Sequence, residues 1–273
     1  MAEIFAHHAH VFPDSVNPNG TLERLARLMD ECGIAQAVCF APFAFQLPGE
    51  DPNQWLVKTI KSNSRFRGFG TIDFSRGDFR DQVRQIRDLG LLGIKLHPNT
   101  QKFDILSPQA MEVYATAQEQ KLFISFHTGV HHYRIRNYNV LGFDEIAHSF
   151  PDLRFSLEHV GGYHFFNHAL AVLFNNIPFP PKPGFQPRVH GGLVSVFNRD
   201  KLPFWYLTPQ QIADAVVQVG AELLIFGLDF PYNQEQDTRL GLEVIGNLPI
   251  SQEKKSMILG GNLRRELELS AHQ

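Results

Sequence analysis

Little in this sequence of 273 residues points to an oxidising compartment, a membrane or a nucleic acid. It has two cysteines, Cys32 and Cys39, both among apolar neighbours, which suits buried thiols and not a disulfide framework. Neither sign of charge is in excess: 25 Lys and Arg face 28 Asp and Glu, so there is no broad electrostatic footprint for DNA, RNA or an anionic bilayer. No apolar run approaches the roughly 18 residues that span a membrane. The start, Met1 to Phe5, lacks the basic residues and long apolar stretch of a signal peptide. The glycine fingerprint G-x-G-x-x-G does not follow the first strand-like segment, which counts against a dinucleotide fold. The expectation is a cytoplasmic globular protein that acts on a small molecule, without a nucleic-acid or membrane partner.

What is present is order. Short runs rich in Val, Ile, Leu and Phe alternate with longer amphipathic stretches, and strands are expected near 3–10, 35–41, 67–73, 91–97, 122–127, 153–159, 189–196 and 222–228. Their near-continuous apolar character suits parallel strands covered by helices. Asp51-Pro52, Ser107-Pro108 and Thr208-Pro209 each set a capping side chain before a proline at a first helical position, and Gln211 completes a capping box with Thr208. Gly33, Gly90 and Gly220 stand where the helical patterns stop. Leu22, Leu25, Leu28, Met29 and Cys32 form one apolar stripe that should face the sheet. Eight such units in this length favour one closed (β/α)₈ barrel, a single domain over residues 1–273. The proline-rich segment Ile177 to Gly184 lies before the seventh strand and reads as an insertion on the face opposite the active site, structural or a contact between copies in a homo-oligomer.

Histidine is plentiful, with 13 residues, many of them at strand ends. The first strand closes with His8-Ala9-His10, the fourth with Lys95-Leu96-His97, the fifth with His127-Thr128-Gly129, the sixth with Glu158-His159-Val160-Gly161-Gly162 and the eighth with Gly227-Leu228-Asp229-Phe230-Pro231. Barrel active sites form from the carboxyl ends of several strands. Side chains alternate along a strand, so His8 and His10 are expected on one face and His7 on the other. Imidazoles from two strands with a carboxylate suit a metal ion that keeps a position open for water. Any one of these histidines alone reads equally well as an ordinary polar loop residue; their repetition at matched positions favours a site.

These motifs, with Gly93-Ile94-Lys95-Leu96-His97-Pro98 and Gly261-Asn262-Leu263-Arg264, resemble the amidohydrolase superfamily, in particular its amidohydrolase-related hydrolases, lactonases and non-oxidative decarboxylases, over Phe5 to about Leu267. The resemblance implies His8, His10, His127 and Asp229 as metal ligands, Asp229 also as proton acceptor, and His159 as a catalytic residue or a ligand of a second ion. Lys95 matches a position that some binuclear relatives use as a carboxylated bridge and that single-metal relatives also keep; otherwise it pairs with a carboxylate at the barrel mouth. Lys95 and His97 are expected to face substrate. One departure stands at the front, where Ala6 occupies a position often held by aspartate.

A metal-dependent hydrolase of an ester, lactone or amide is the first reading. One divalent ion is expected, zinc by its donor preference and manganese as the alternative. A decarboxylase on the same scaffold is the second; such relatives carry a long insertion after the first strand, whereas only Val11 to Gly20 follows His10. A barrel that merely binds metal is the third. Beyond the fifth strand, Arg134 and Arg136 offer forked donors for a substrate carboxylate, or else pair with Asp144 and Glu145. Trp205 and Tyr206 are expected to pack the start of the next helix or to wall the site, and His164 and His168 to be structural or solvent-facing.

Overall fold

The computed structural model describes residues 3–180, 182 and 184–271. Eight parallel strands close into a barrel in sequence order: β1 (Ile4–His10), β2 (Ile34–Phe40), β3 (Phe66–Gly70), β4 (Gly93–Leu96), β5 (Phe123–His127), β6 (Arg154–Glu158), β7 (Val189–Leu193) and β8 (Leu224–Phe230). Each expected strand is present. Around them run α1 (Leu22–Cys32), α2 (Pro52–Ile60), α3 (Phe79–Asp88), α4 (Pro98–Gln101), α5 (Pro108–Glu119), α6 (Gly142–Ser149), α7 (Gly162–Asn175), α8 (Pro209–Val219), α9 (Glu235–Asn247), α10 (Gln252–Ser256) and α11 (Asn262–Ala271).

The helix boundaries follow local chemistry. Asp51, Ser107 and Thr208 each accept a hydrogen bond from a backbone N–H of the first turn, and each is followed by the proline that tolerates a missing donor there. Gln211 returns the bond to Thr208, closing the capping box. Gly33 ends α1 at φ 67°, a left-handed conformation that costs glycine nothing. Leu25, Leu28, Met29 and Cys32 are buried along one face of α1, as their spacing requires.

The barrel interior is divided. Below the strand ends Phe5, Val38, Phe40, Phe69, Phe123 and Ile225 form one apolar cluster with Leu263 and Leu267 of α11, which closes the floor. Glu266, on the same helix, is fully buried, with its carboxylate 3.3 Å from His190 Nε2 of β7 and 3.6 Å from Arg154 of β6. The proline-rich segment lies at this lower end, next to Arg188, which donates to Ala147 O and Phe150 O at the end of α6. Pro181 and Pro183 lie outside the described residues. No helix among the described residues is long and apolar enough to cross a membrane.

Burial alone would raise the Glu266 pKa, but His190, Arg154 and Arg265 outweigh it and hold the carboxylate below its ordinary value of 4.5. Its contribution to stability is therefore complete above pH 4.5 and is lost as pH falls through the depressed value. Glu266→Ala, which leaves Arg154 without its buried partner, should lower the unfolding free energy by about 3–5 kcal/mol at neutral pH. In denaturant titrations the gap between variant and wild type should narrow below the carboxylate range; a pH-independent gap would show that packing and not charge is lost.

Candidate functional site

At the carboxyl ends of the strands a cavity of about 640 Å³ opens between the loops. His8, His10, His97, His127, His159 and Asp229 all line it, so residues from β1, β8 and the ends of β4, β5 and β6 meet in one place. The backbone is bent to bring them there. Of the seven non-glycine residues with positive φ among the described residues, five stand on this rim: His8, His159, Val160, Ser195 and Asp229. Such conformations cost about 1–3 kcal/mol each and persist where surrounding contacts hold them.

His8 shows what that strain does. At φ 66° it interrupts β1, and the register against β2 slips between Ala6 and Ala9. Strict alternation, which places His7 away from His8, fails at this bulge. Both rings turn inward: His7 Nδ1 lies 3.1 Å from Glu158 Oε1 and His8 Nδ1 lies 3.1 Å from Glu158 Oε2. His7 is wedged against Phe40, Phe69 and Phe123, beneath the site.

His8, His10 and Asp229 converge. His8 Nε2 is 3.2 Å from His10 Nε2 and 3.4 Å from Asp229 Oδ1, and His10 Nε2 is 3.9 Å from the same oxygen. With Nδ1–H donated to Glu158, His8 directs the Nε2 lone pair at this cluster. Burial, reinforced by the Lys95 charge, pushes the pKa of both histidines well below the usual imidazole value. Two neutral imidazoles and a carboxylate facing one point make a donor set that fits a divalent cation.

A second pair adjoins it. The ring N–H at His127 Nε2 donates to Gly129 O at 3.0 Å, and that at His159 Nδ1 donates to Val194 O at 2.8 Å. The remaining nitrogens, His127 Nδ1 and His159 Nε2, face each other at 3.1 Å. Burial holds both rings toward their neutral form, so two lone pairs oppose one another unless a proton or cation is shared. His127 does not join the cluster of His8, His10 and Asp229 directly; its near partner is His159. His97 stacks on His127 at 3.8 Å and accepts from Thr100 N through Nδ1. Lys95 is fully buried beneath this floor, its pKa pushed down to about 8 by desolvation, and its Nζ meets His8 Nε2 at 3.4 Å rather than a carboxylate oxygen.

Trp205 walls the cavity: its ring stacks on His159 at 4.2 Å, and Nε1 donates to Val130 O. A Cβ at Gly129 or Gly162 would come within 2.8 or 2.9 Å of this indole, so the glycines of the fifth and sixth strand-end motifs make room for it. Asp229 Oδ2 accepts from the Ser195 hydroxyl, and Ser195 accepts from Asn233 at 3.0 Å. Lys201 lines the cavity but is held by Asp237 at 2.6 Å. Glu158 is wholly buried; desolvation would raise its pKa, but His7 and His8 hold it well below the carboxylate range.

Arg134 and Arg136 do not reach the cavity. Both are exposed on the loop after β5, where Arg136 donates to Asn137, while His131 and His132 of the same loop line the site. They do not pair with Asp144 either, which accepts from Asn175 and Asn176. His164 stands at the cavity edge, and His168 is exposed on α7. The sequence motifs assign no role to Glu158 or Ser195 and set His7 on the face opposite His8. A glutamate inside a strand-end motif beside His159 was the available signal for the first; nothing in spacing alone marks the other two.

The amidohydrolase family model matches residues 8–269. Among solved structures, an uncharacterised TIM-barrel protein (Bb4693) from Bordetella bronchiseptica superposes with a TM-score of 0.77 at 18% identity, covering 99% of this chain and 100% of that one. A dihydroxybenzoic acid decarboxylase from Polaromonas sp. JS666, with bound manganese and the inhibitor 2-nitroresorcinol, gives 0.72 at 17% identity over 98% of each chain. A putative 2-pyrone-4,6-dicarboxylic acid hydrolase from Pseudomonas putida gives 0.69 at 17% over 98% of each. A search of curated protein sequences finds no match. These likenesses show a shared barrel, and the family match over nearly the whole length, on top of the strand-end histidines, shows that the chain belongs to the amidohydrolase family of metal-dependent enzymes.

Proposed function

We propose that this enzyme hydrolyses an ester, lactone or amide bond in a small substrate, and that zinc, or manganese in its place, is the ion it uses. The observation that carries the reading is the convergence of His8 Nε2, His10 Nε2 and Asp229 Oδ1 within 3.9 Å of one another at a cavity floor. A divalent cation in such a site supplies Lewis acidity and makes water a stronger acid. His8, His10 and Asp229 would hold it, and His127, whose Nδ1 lies beside His159 Nε2 at 3.1 Å, is the further imidazole that β5 brings to the cavity. Asp229, with Oδ1 facing the two histidines and Oδ2 accepting from Ser195, would be both a ligand through Oδ1 and the carboxylate that takes a proton from the attacking water and delivers it to the leaving group. His159, anchored through Nδ1 to Val194, presents Nε2 as an acceptor; it orients water in this form and steadies an oxyanion only after gaining a proton.

The walls narrow the substrate. Phe43, Trp205 and Tyr232 offer apolar flanks, and Lys201, the only lysine or arginine of the lining among the described residues, is already paired. With the two arginines outside, a substrate carboxylate would be met by Lys201 or by the histidines of the lining, His131, His132 and His164 among them. The flat Trp205–His159 stack also favours a planar ring, which keeps loss of CO₂ from an aryl carboxylate as the second reading. Against it, the segment after β1 is closed tightly by Phe12 N to Gly20 O at 2.8 Å and adds no residue to the cavity lining. Two buried, unpaired thiols fit an enzyme of the cytoplasm.

The direct test loads the purified protein with zinc or manganese and assays lactones, esters, amides and aryl carboxylates for acid release and for CO₂. Acid without CO₂ supports the proposal, CO₂ alone supports the second reading, and no turnover of any class with bound metal contradicts both.

The assignment of ligands is tested by elemental analysis. His8→Ala and His10→Ala should each lose most bound metal and all activity, whereas full occupancy in both would contradict the site. His159→Ala should keep the ion; a drop from two ions to one would assign His159 and His127 to a second metal and make Lys95 its bridge. Asp229→Asn keeps a coordinating oxygen but removes the base, so kcat/KM should fall about 10²–10⁴-fold. Metal content should fall far less, and a parallel loss of both would make Asp229 a ligand only.

A further inference from the structure

We propose that Glu158 is a positioning residue that fixes the His8 ring with its Nδ1–H turned inward and its Nε2 lone pair turned to the metal site. The inference rests on the metal reading above. Glu158 ends β6 and is sealed inside the barrel, away from the cavity that substrate enters. Its carboxylate gathers donors from three strands: His8 Nδ1 at 3.1 Å on Oε2, and Ser125 at 3.2 Å with Ser156 on Oε1. His7 Nδ1 stands 3.1 Å from the same Oε1. Space for the group is made by its partner across the sheet, Gly192 of β7, where a Cβ would lie 2.2 Å from Oε2. A carboxylate encircled in this way only accepts, so the nitrogen of His8 that faces it must carry the hydrogen, and the other nitrogen is left as an acceptor toward His10 and Asp229, with the Lys95 ammonium, itself only a donor, 3.4 Å from it. Without that acceptor, His8 can place its hydrogen on Nε2 instead and donate to Asp229 Oδ1, 3.4 Å away, which closes the ring against a cation.

Two variants and one spectrum test this. In metal-free wild type, imidazole ¹⁵N shifts, assigned by comparison with His8→Gln, should show His8 with hydrogen on Nδ1. Glu158→Met, which keeps length but removes the acceptor, should move it to Nε2 and weaken zinc and manganese binding about 10–100-fold in competition with a chromophoric chelator. Glu158→Gln keeps one acceptor oxygen and should recover part of that affinity. Gly192→Ala, which displaces the carboxylate without altering it, should weaken binding in the same direction. A wild-type His8 protonated on Nε2, or a Glu158→Met protein that binds zinc within twofold of wild type, would overturn the proposal. So would the loss of one ion out of two in Glu158→Met, because Glu158 would then be a ligand. Should that variant not fold, the wild-type spectrum and Gly192→Ala decide the matter. If wild type binds neither ion, the metal reading fails by itself, and the His8 spectrum still supports or overturns the role of Glu158.

Discussion

The site depends on one break in one strand. At His8 the backbone of β1 turns left-handed, and the bulge allows two consecutive residues, His7 and His8, to point into the barrel, where alternation permits only one. Glu158 is the counterpart that holds the break, since both rings reach it at 3.1 Å. A regular strand would leave His8 without its acceptor, and the cluster with His10 and Asp229 would lose its geometry. Four further left-handed residues, His159, Val160, Ser195 and Asp229, lie at the same end, and His159 and Asp229 line the same cavity. Local strain here is balanced by buried polar contacts, a common arrangement where a fold must preorganise a reactive site.

The two ends of the barrel therefore do different work. The floor is apolar rings, the closing helix α11 and a buried carboxylate paired with histidine and arginine. The mouth is histidines, the Asp229 carboxylate and aromatic walls. Between them stands the layer of His7, Glu158, Ser125 and Ser156, polar yet sealed. It links the rigidity of the floor to the orientation of His8 above it.

Much of this was legible in the amino-acid sequence. Eight apolar runs became eight strands because burial on both faces leaves no other use for such segments. Asp51, Ser107 and Thr208 announced their helices because a capped turn is decided within four residues. His8, His10, His127, His159 and Asp229 all reached one cavity because the barrel topology sends every strand end to the same face. What was not legible depends on three-dimensional detail. The inward turn of His7 follows from a bulge that period-two alternation cannot express, and the stacking of Trp205 on His159 depends on two glycines far away in the chain. Arg134 and Arg136 were plausible by position on the loop, but a loop's path, and with it which of its side chains face inward, is set by packing.

The central claim is that His8, His10 and Asp229 form the core of a metal centre. X-ray absorption at the zinc edge of protein loaded with one equivalent of zinc tests it most directly. The account predicts a first shell of nitrogen and oxygen with the outer-ring scattering of at least two imidazoles, and loss of one imidazole's share in His10→Ala. A shell without imidazole scattering, or one unchanged in His10→Ala, would contradict it.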